Sequence, residues 1–431
     1  MARKMKDSGI EWIGEIPEGW EITRLKYLAD FEPTCDTSYL TDESKITYTP
    51  MECVKNGGFE NRSALYGNLS HTLTPFQNGD IAMAKVTPCF ENGNIAIMDN
   101  LFSGFGLGSS ELFIFRPKSI STRYFFYWLQ NKAFVARACS TMTGTGGLKR
   151  ISPSFIRNCP VHCPSTDEQT KISDYLDAKC SEIDDLLTSV HSSIEKYKKL
   201  KQAVITQAVT KGVHGEREMK DSGVEWIGRI PSEWYVAPFT KCLESTIDYR
   251  GKTPEKVSDG TFLVTAKNIK DGKLNYSASK EYVRTEQYED IMHRGKPEIG
   301  DVLFTTEAPL GEVCNVDRTD FALAQRIIKF RGIVGLVNNY YMKYWIMSSF
   351  FQNNLRTFAT GSTAQGIKAS KLGQLKLILP TLEEQQEIAD YLDAKCAEID
   401  RLIAKKEQLV KELESYKKSL IYEVVTGKRE V

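Results

Sequence analysis

Residues 5–17 read Met5-Lys-Asp-Ser-Gly-Ile-Glu-Trp-Ile-Gly-Glu-Ile-Pro17, and residues 219–231 read Met219-Lys-Asp-Ser-Gly-Val-Glu-Trp-Ile-Gly-Arg-Ile-Pro231. A second block is repeated too, because Asp174-Tyr-Leu-Asp-Ala-Lys-Cys180 returns as Asp390-Tyr-Leu-Asp-Ala-Lys-Cys396. The two offsets, 214 and 216 residues, are nearly equal. The chain is therefore an internal duplication in which constant segments alternate with two long, divergent inserts.

The duplication divides the 431 residues into five parts, and a chain of this length fits two domains with connectors. A constant frame with variable inserts is typical of a protein that holds two modules reading different things. The predicted parts are an N-terminal repeat segment (1–19), a first recognition module (20–163), a central long helix with repeat segment (164–233), a second recognition module (234–379) and a C-terminal long helix (380–431).

Composition indicates a cytoplasmic protein. No apolar run approaches the roughly 18 residues of a membrane span, and the start Met-Ala-Arg-Lys-Met-Lys lacks the apolar stretch of a signal peptide. Ten cysteines without a close-set framework favour reduced thiols over disulfides. Cys159 and Cys163 could begin a metal clip, but no second pair completes four ligands.

Charge is distributed unevenly although the net charge is zero. Residues 20–163 contain 14 basic and 12 acidic side chains, and residues 234–379 contain 20 and 15. The excess of positive charge is thus confined to the modules. Such a bias is compatible with DNA contact by the modules alone.

Two long helices are predicted after Pro164 and Pro380, each opened by acidic residues in its first turn. Apolar residues follow at three- and four-residue steps over about 44 residues, or about 65 Å at 1.5 Å per residue. Lysines interrupt this seam at 201, 406 and 417. So narrow a stripe needs a partner helix. We expect the other copy to supply it in an antiparallel pair; the alternative is a coiled coil that dimerises two chains.

The two modules share landmarks of one fold: Gly79-Asp-Ile81 with Gly300-Asp-Val302, and Tyr127-Trp128 with Tyr344-Trp345. Short strands are predicted at 81–85, 111–115, 262–265 and 327–330, and aromatic-rich helical stretches at 124–139 and 340–358. The predicted fold class is α+β, with two recognition modules, two long antiparallel helices and an internal pseudo-two-fold axis.

Polar loops rich in glycine and threonine are the candidates for DNA contact, because they offer backbone N–H groups and hydroxyls beside basic side chains. The alternative is that they are ordinary solvated turns. The candidate DNA-binding residues are Lys85, Thr87, Thr145, Lys149 and Arg150 in the first module, and Arg250, Lys252, Thr253, Thr363, Gln365 and Lys368 in the second.

Catalytic motifs are weak. Phe102-Ser-Gly-Phe-Gly106 and Thr87-Pro-Cys-Phe90 faintly resemble parts of an S-adenosylmethionine-dependent methyltransferase, but no repeating β-α unit follows and the Pro-Pro pair is missing. The sequence has no Gly-x-x-x-x-Gly-Lys-Ser/Thr loop for ATP. We therefore expect a non-catalytic chain that binds no metal or cofactor itself.

Taken jointly, the duplicated Trp-Ile-Gly segments, the Asp-Tyr-Leu-Asp-Ala-Lys blocks and the Gly-Asp-Ile/Val pairs closely resemble the specificity subunits of type I restriction-modification systems. The resemblance implies that each module reads one half of a bipartite, asymmetric site on double-stranded DNA. It implies two modification subunits that use S-adenosylmethionine to methylate adenine N6, and two restriction subunits that use ATP and Mg²⁺.

Two quasi-equivalent docking surfaces for these partners are expected at the repeat segments and helix starts. A solvated helix face is the alternative. We also expect half-site centres about 34–36 Å apart, and a change of helix length by one heptad to alter only the unread spacer. Two other classes stay open: a solitary DNA-binding regulator, and a coiled-coil scaffold that binds no DNA. The candidate partner-binding residues are Trp12, Asp174, Asp177, Trp226, Asp390 and Asp393.

Overall fold

The computed structural model describes residues 3–70, 72–145, 147–249, 254–361 and 365–431. The chain forms two compact units. Unit 1 comprises Met1–Val190 with Gln408–Val431, and unit 2 comprises His191–Glu407. Each unit therefore combines one predicted module with parts of both long helices.

Unit 1 contains two four-stranded sheets. Neighbouring strands are antiparallel except for one parallel pair, Lys45–Thr49 with Phe105–Gly108. Three two-stranded pairs complete the unit. The strands of the first sheet are, in spatial order, Ile95–Met98, Asp80–Ala84, Leu112–Pro117 and Ala29–Phe31. Those of the second sheet are Arg62–Leu65, Lys45–Thr49, Phe105–Gly108 and Thr74–Gln77. The pairs are Met5–Asp7 with Glu15–Pro17, Glu21–Arg24 with Pro160–Cys163, and Val54–Lys55 with Gly58–Phe59.

Unit 2 repeats this plan. Its one parallel pair within the sheets, Thr261–Val264 with Phe321–Leu323, corresponds to that of unit 1. The strands of its first sheet are, in spatial order, Leu243–Asp248, Ile327–Gly332, Val302–Thr305 and Val313–Asn315. Those of its second sheet are Lys256–Val257, Tyr282–Val283, Thr261–Val264 and Phe321–Leu323. The pairs are Met219–Asp221 with Arg229–Pro231, Tyr235–Pro238 with Lys376–Leu379, and Ile269–Lys270 with Lys273–Leu274.

The predicted strands are all present, with ends shifted by one or two residues. They form Asp80–Ala84, Leu112–Pro117, Thr261–Val264 and Ile327–Gly332. The α+β fold class with two similar modules is confirmed.

Each aromatic-rich stretch forms two helices. In unit 1 the first ends at Trp128, and Asn131 caps the next by accepting the Phe134 N–H at 2.9 Å. In unit 2 Ser348 plays the same role for the Phe351 N–H. The α-helices besides the two long ones are Leu25–Leu28, Thr122–Trp128, Lys132–Ser140, Pro153–Asn158, Tyr288–Ile291, Asn339–Met347 and Ser349–Thr357; the 3-10 helices are Met51–Cys53, Tyr66–Asn68, Phe102–Gly104, Phe239–Cys242, Ala266–Asn268, Thr285–Gln287 and Ala369–Gln374.

The two long helices span Thr166–Lys211 and Leu382–Val425. In unit 1, Leu176 near the start of the first packs in one core with Leu420 near the end of the second. In unit 2, Ile205 near the end of the first packs in one core with Leu392 near the start of the second. The helices are thus antiparallel within each unit, which confirms the predicted partner.

Both cores join the repeat segment, the aromatic helices and the long helices. Trp20 and Trp234, one residue type at one repeat position, are among the most deeply buried side chains. No helix in the described ranges is long and apolar enough to cross a membrane. All ten cysteines are free thiols.

Candidate functional site

The Gly-Asp landmark closes the end of a central strand in each unit. Asp80 accepts the Gln77 N–H at 2.8 Å and holds the guanidinium of Arg116 on the neighbouring strand with two bonds of 2.8 Å. Asp301 does the same for Glu298 and Arg331. The landmark is therefore an anchor for the sheet that carries the loops.

Asp301 has an additional partner. The Lys329 ammonium, itself buried, donates to it at 2.8 Å, whereas unit 1 has Ile114 at the equivalent strand position. Burial opposes ionisation of Asp301, but the hydrogen bonds from Arg331 and Lys329 outweigh it and lower its pKa. Unit 2 thus holds a buried carboxylate between the buried Lys329 and the partly exposed Arg331.

The structure brings four predicted DNA-binding residues of unit 1 together. The Thr87 hydroxyl accepts the Lys149 N–H at 2.9 Å and donates to the Gly147 carbonyl at 3.0 Å. The Lys85 carbonyl accepts the Ile151 N–H, so the two loops run side by side. Lys149 and Arg150 are exposed, as is Thr145 at the tip of the same loop. These contacts form a surface, which we call loop cluster 1.

Arg150 has a partner within loop cluster 1. Its guanidinium donates three hydrogen bonds, of 3.2, 2.9 and 2.7 Å, to the Glu111 carboxylate. The bond lowers the pKa of Glu111 and raises that of Arg150, so both remain charged at neutral pH. A phosphate that approaches Arg150 would compete with this carboxylate, whereas Lys85 and Lys149 have no ion-pair partner among the described residues.

Unit 2 builds the corresponding surface, loop cluster 2, with different chemistry. The Thr306 N–H donates to the Arg326 carbonyl and the Thr306 carbonyl accepts the Ile367 N–H, as Lys85 does with Glu111 and Ile151. Thr306 therefore replaces Lys85, and Arg326 replaces Glu111. Arg326 pairs with Glu307 at 2.8 Å. The same backbone scaffold thus presents a different set of charges.

The remaining candidates of unit 2 are divided. Gln365 and Lys368 are exposed in loop cluster 2, and Lys368 precedes the 3-10 helix Ala369–Gln374. Arg250, Lys252, Thr253 and Thr363 lie outside the described residues. The DNA contacts of all these residues stay predictions.

The candidate partner surface of unit 1 is also used within the unit. Asp177 accepts the Tyr127 hydroxyl at 2.6 Å and pairs with Arg123, which also contacts Asp174 at 2.9 Å. Trp12 is half-buried against the core. The acidic helix start therefore holds the module's aromatic helix in place.

Unit 2 repeats these contacts. Asp393 accepts the Tyr344 hydroxyl and the Lys343 ammonium, the latter at 3.1 Å. Asp390 accepts an amide hydrogen from Gln386, at 2.8 Å. Trp226 packs against Trp345 with ring centroids 6.4 Å apart. Docking of a partner at these six residues stays a prediction.

The chain matches a model of the type I restriction modification DNA specificity domain over residues 17–196 and again over 250–413. Together these stretches cover most of the sequence, including the first module, residues 250–379 of the second module and the greater part of both long helices. The chain belongs to this family. It is a specificity subunit of a type I restriction-modification system, a class of DNA-binding proteins.

Its relatives agree. The chain is 24% identical to the Escherichia coli type I restriction enzyme EcoAI specificity subunit, over 92% of this chain and 78% of that protein. It is 24% identical to the Methanocaldococcus jannaschii MjaVIII specificity subunit, over 96% and 93%. A solved structure concerned with complex assembly and conformational transition of the type I R-M system has the same fold, with a TM-score of 0.72 at 16% identity over 96% of this chain and 99% of that one.

Sequence reasoning missed a contact that each half of the specificity subunit repeats. The Trp20 indole donates to Glu168 at 2.9 Å while Arg3 pairs with the same carboxylate. In unit 2 the Trp234 indole donates to Glu384 at 2.7 Å, and Arg217 pairs with it. We call these contacts the Trp–Glu clasps. Trp20 and Trp234 lie 214 residues apart and Glu168 and Glu384 lie 216 apart, which is the signal that could have found them.

Two of the three lysines that interrupt the apolar seams also have a structural role. In unit 1 Lys417 pairs with Asp184 at 2.7 Å, and in unit 2 Lys201 pairs with Asp400 at 2.6 Å. Each pair joins the two long helices. Within the described residues, no group of three or more histidine, cysteine, aspartate or glutamate side chains is placed to hold a metal ion.

Proposed function

We propose that this specificity subunit reads a bipartite, asymmetric site on double-stranded DNA, with one module for each half. It directs two modification subunits to methylate adenine N6 and two restriction subunits to translocate and cut. In this proposal the subunit itself is non-catalytic, and S-adenosylmethionine, ATP and Mg²⁺ are used by the partners.

The observation that carries the proposal is the difference between loop clusters 1 and 2. One backbone scaffold occurs twice, but Lys85 and Glu111 in unit 1 are replaced by Thr306 and Arg326 in unit 2. Base edges and phosphates are recognised by side-chain donors, acceptors and charges. Two scaffolds with different side chains at equivalent places are therefore suited to two different half-sites.

The Trp–Glu clasps and the bonds of Asp177 and Asp393 support the second part of the proposal. The same contacts occur at both repeat segments and both helix starts. Because these contacts fix the two copies in the same way, a partner that docks on one copy finds a similarly built surface on the other. This repetition favours two copies of the modification subunit.

The test is to sequence native adenine methylation genome-wide in cells with and without this gene. We expect a two-part N6-methyladenine motif, with an unread spacer, that disappears on deletion. A second strain carries another family member's module in place of residues 235–379. The proposal requires one half of the motif to change and the other to stay; a change in both halves contradicts the assignment of one module to each half.

DNA binding by the purified chain and the effect of deletion on methylation distinguish the two alternative functions, a solitary regulator and a scaffold, from the proposed one. A regulator would bind DNA as the isolated chain and would leave methylation unchanged when it is deleted. A scaffold would bind no DNA at low salt in any preparation. Copurification of the tagged chain with a methyltransferase contradicts both alternatives if methylation also depends on the gene.

A further inference from the structure

A cleft of about 290 Å³ opens beside loop cluster 2. Three cationic side chains, Lys256, Lys267 and Arg326, line it from three separate segments of unit 2. Ala308, which follows Glu307 in loop cluster 2, also lines it. The cleft is therefore continuous with the surface that we assign to DNA.

Two of the three cations are held by carboxylates. Lys256 pairs with Glu281 at 2.6 Å, and Arg326 pairs with Glu307 at 2.8 Å. Burial opposes ionisation of Glu281, but the bonds from Lys256 and Ser279 lower its pKa, with a contribution from the charge of Lys267. Lys267 itself is exposed and has no ion-pair partner among the described residues.

The equivalent place in unit 1 has the opposite charge. The Ala324 N–H donates to the Val264 carbonyl as the Ser109 N–H donates to the Thr49 carbonyl, which aligns the two turns that follow. Three residues on, Lys267 occupies the centre of the 3-10 helix Ala266–Asn268, and Glu52 occupies the centre of Met51–Cys53. At the second position, Arg326 replaces Glu111.

We propose that this cleft is a phosphate-binding site of unit 2, which takes a DNA backbone phosphodiester through Lys267 with Arg326 and Lys256 beside it. Unit 1 presents Lys85 and Lys149, two cations without an ion-pair partner among the described residues, from a different pair of loops. The two modules therefore hold the DNA backbone with non-equivalent groups on one scaffold. The inference rests on the proposed function, because it assumes that unit 2 meets DNA at loop cluster 2.

The test measures the affinity of the full chain for a fluorescent DNA duplex of mixed sequence at several salt concentrations. Loss of one phosphate contact lowers the slope of log K against log salt by about 0.9. We expect Lys267→Gln to lower the slope by that amount and to weaken binding several-fold at low salt. The matched control is Lys241→Gln, an exposed lysine of the same module that does not line this cleft, which should leave the slope unchanged.

A second variant tests the same site from the opposite side. Glu307→Gln removes the carboxylate that holds Arg326, so it should strengthen DNA binding and steepen the slope. Equal effects of Lys267→Gln and Lys241→Gln, with the wild-type chain binding DNA, overturn the cleft assignment and leave the proposed function intact. Absence of DNA binding by the wild-type chain at low salt would overturn both.

Discussion

At the scale of single residues, the two Gly-Asp landmarks show that the same backbone arrangement can hold different buried ion pairs. Asp80 faces one arginine, whereas Asp301 faces an arginine and the buried Lys329. A buried charge is tolerated when it is paired, and removing one partner leaves the other uncompensated. The two aspartates are therefore equivalent in position, but their substitution should have unequal effects on stability.

Asp301→Asn should destabilise unit 2 by about 3–5 kcal/mol, because it leaves the buried Lys329 without a carboxylate and Arg331 with only the exposed Glu298. Asp80→Asn leaves only the partly exposed Arg116 unpaired and should cost about 1–3 kcal/mol. The measurement is the free energy of unfolding of each unit in urea, followed by hydrogen exchange and mass spectrometry of peptides from that unit. Equal losses for both variants would contradict the shared-carboxylate explanation.

The matched control is Lys329→Ile, which installs the residue type that unit 1 has at Ile114. Asp301 then keeps Arg331, as Asp80 keeps Arg116. Replacing a buried ion by an apolar side chain is often neutral or stabilising. We expect the free energy of unfolding of unit 2 to change by less than about 1 kcal/mol.

His162 should make unit 1 sensitive to acid. Burial lowers its pKa to about 4, against the bond between Nε2 and the Val425 carbonyl. Its folded pKa lies below its ordinary value of about 6.5, so the unfolded chain binds the proton first as pH falls. The contribution of neutral His162 to the folding stability of unit 1 is fully present above pH 6.5. It declines by on the order of 3 kcal/mol between pH 6.5 and about 4, and is constant at lower pH.

The control for His162 is present in the same chain, because Ile378 occupies the equivalent strand position in unit 2. His162→Ile should remove the acid-dependent loss from unit 1. The readout is the urea midpoint of unit 1 peptides at pH 7 and pH 4.5. If the variant kept the wild-type pH dependence, another group would be responsible.

At the scale of elements, the long helices are joined by apolar contacts and by one lysine–aspartate pair in each unit. The two pairs differ in their surroundings. Asp400 accepts from Lys201 and also from Lys273 at 2.9 Å, and 28% of its side chain is exposed. Among the residues that the structure describes, Asp184 pairs with Lys417 alone, and 54% of its side chain is exposed.

Asp400→Asn should therefore cost unit 2 about 1–3 kcal/mol, because two lysines lose a half-buried partner. Asp184→Asn should cost unit 1 less than about 1 kcal/mol, as for exposed pairs. Adding salt should reduce the difference. The free energies come from the same peptide-resolved unfolding experiment, and a larger loss for Asp184→Asn would contradict the ranking.

The helices and strands could be predicted because periodicity is a local property of the sequence. The seam of the first long helix, for example Leu176 and Cys180, is visible in its spacing. Each aromatic stretch is divided into two helices, at Leu129–Asn131 and at Ser348. This division depends on capping side chains, which apolar periodicity does not reveal. Strand order depends on pairings distant in sequence, such as Thr47 with Gly106, which no local pattern contains.

The candidate site could be predicted in part for the same reason. The Gly/Thr-rich loop 143–149 points to Lys149, and the short stretch Lys85-Val-Thr87 points to Thr87; the structure places the two residues together. The pairing of Arg150 with Glu111 links residues 39 apart and was not foreseeable from either loop. Lys267, on which the proposed phosphate site rests, is not among the sequence candidates. It stands out only when it is compared with Glu52, and the two inserts are too divergent to be aligned there without the backbone hydrogen bonds.

At the scale of the whole molecule, helix length should set the unread spacer. Inserting seven residues into both long helices, between the lysine–aspartate pairs of units 1 and 2, adds about 10 Å of helix. That length equals about three base pairs at 3.4 Å each. We expect the methylated motif to keep both half-sites and to gain about three base pairs of spacer.

Native methylation sequencing of the insertion strain is the measurement. An insertion in only one helix breaks the antiparallel register and serves as the control, which should abolish methylation. Altered half-sites with an unchanged spacer would contradict the role of the helices.

The location of the Trp–Glu clasps has an evolutionary consequence. Each clasp joins the tryptophan directly after a repeat segment to a helix start, and neither involves the loops that differ between the units. Genetic recombination with crossovers inside the repeated blocks would therefore exchange a whole reader as a cassette, while the residues that seat it remain the same on both sides of the junction. Such a gene could acquire a new target in a single event, without first passing through an unstable intermediate protein.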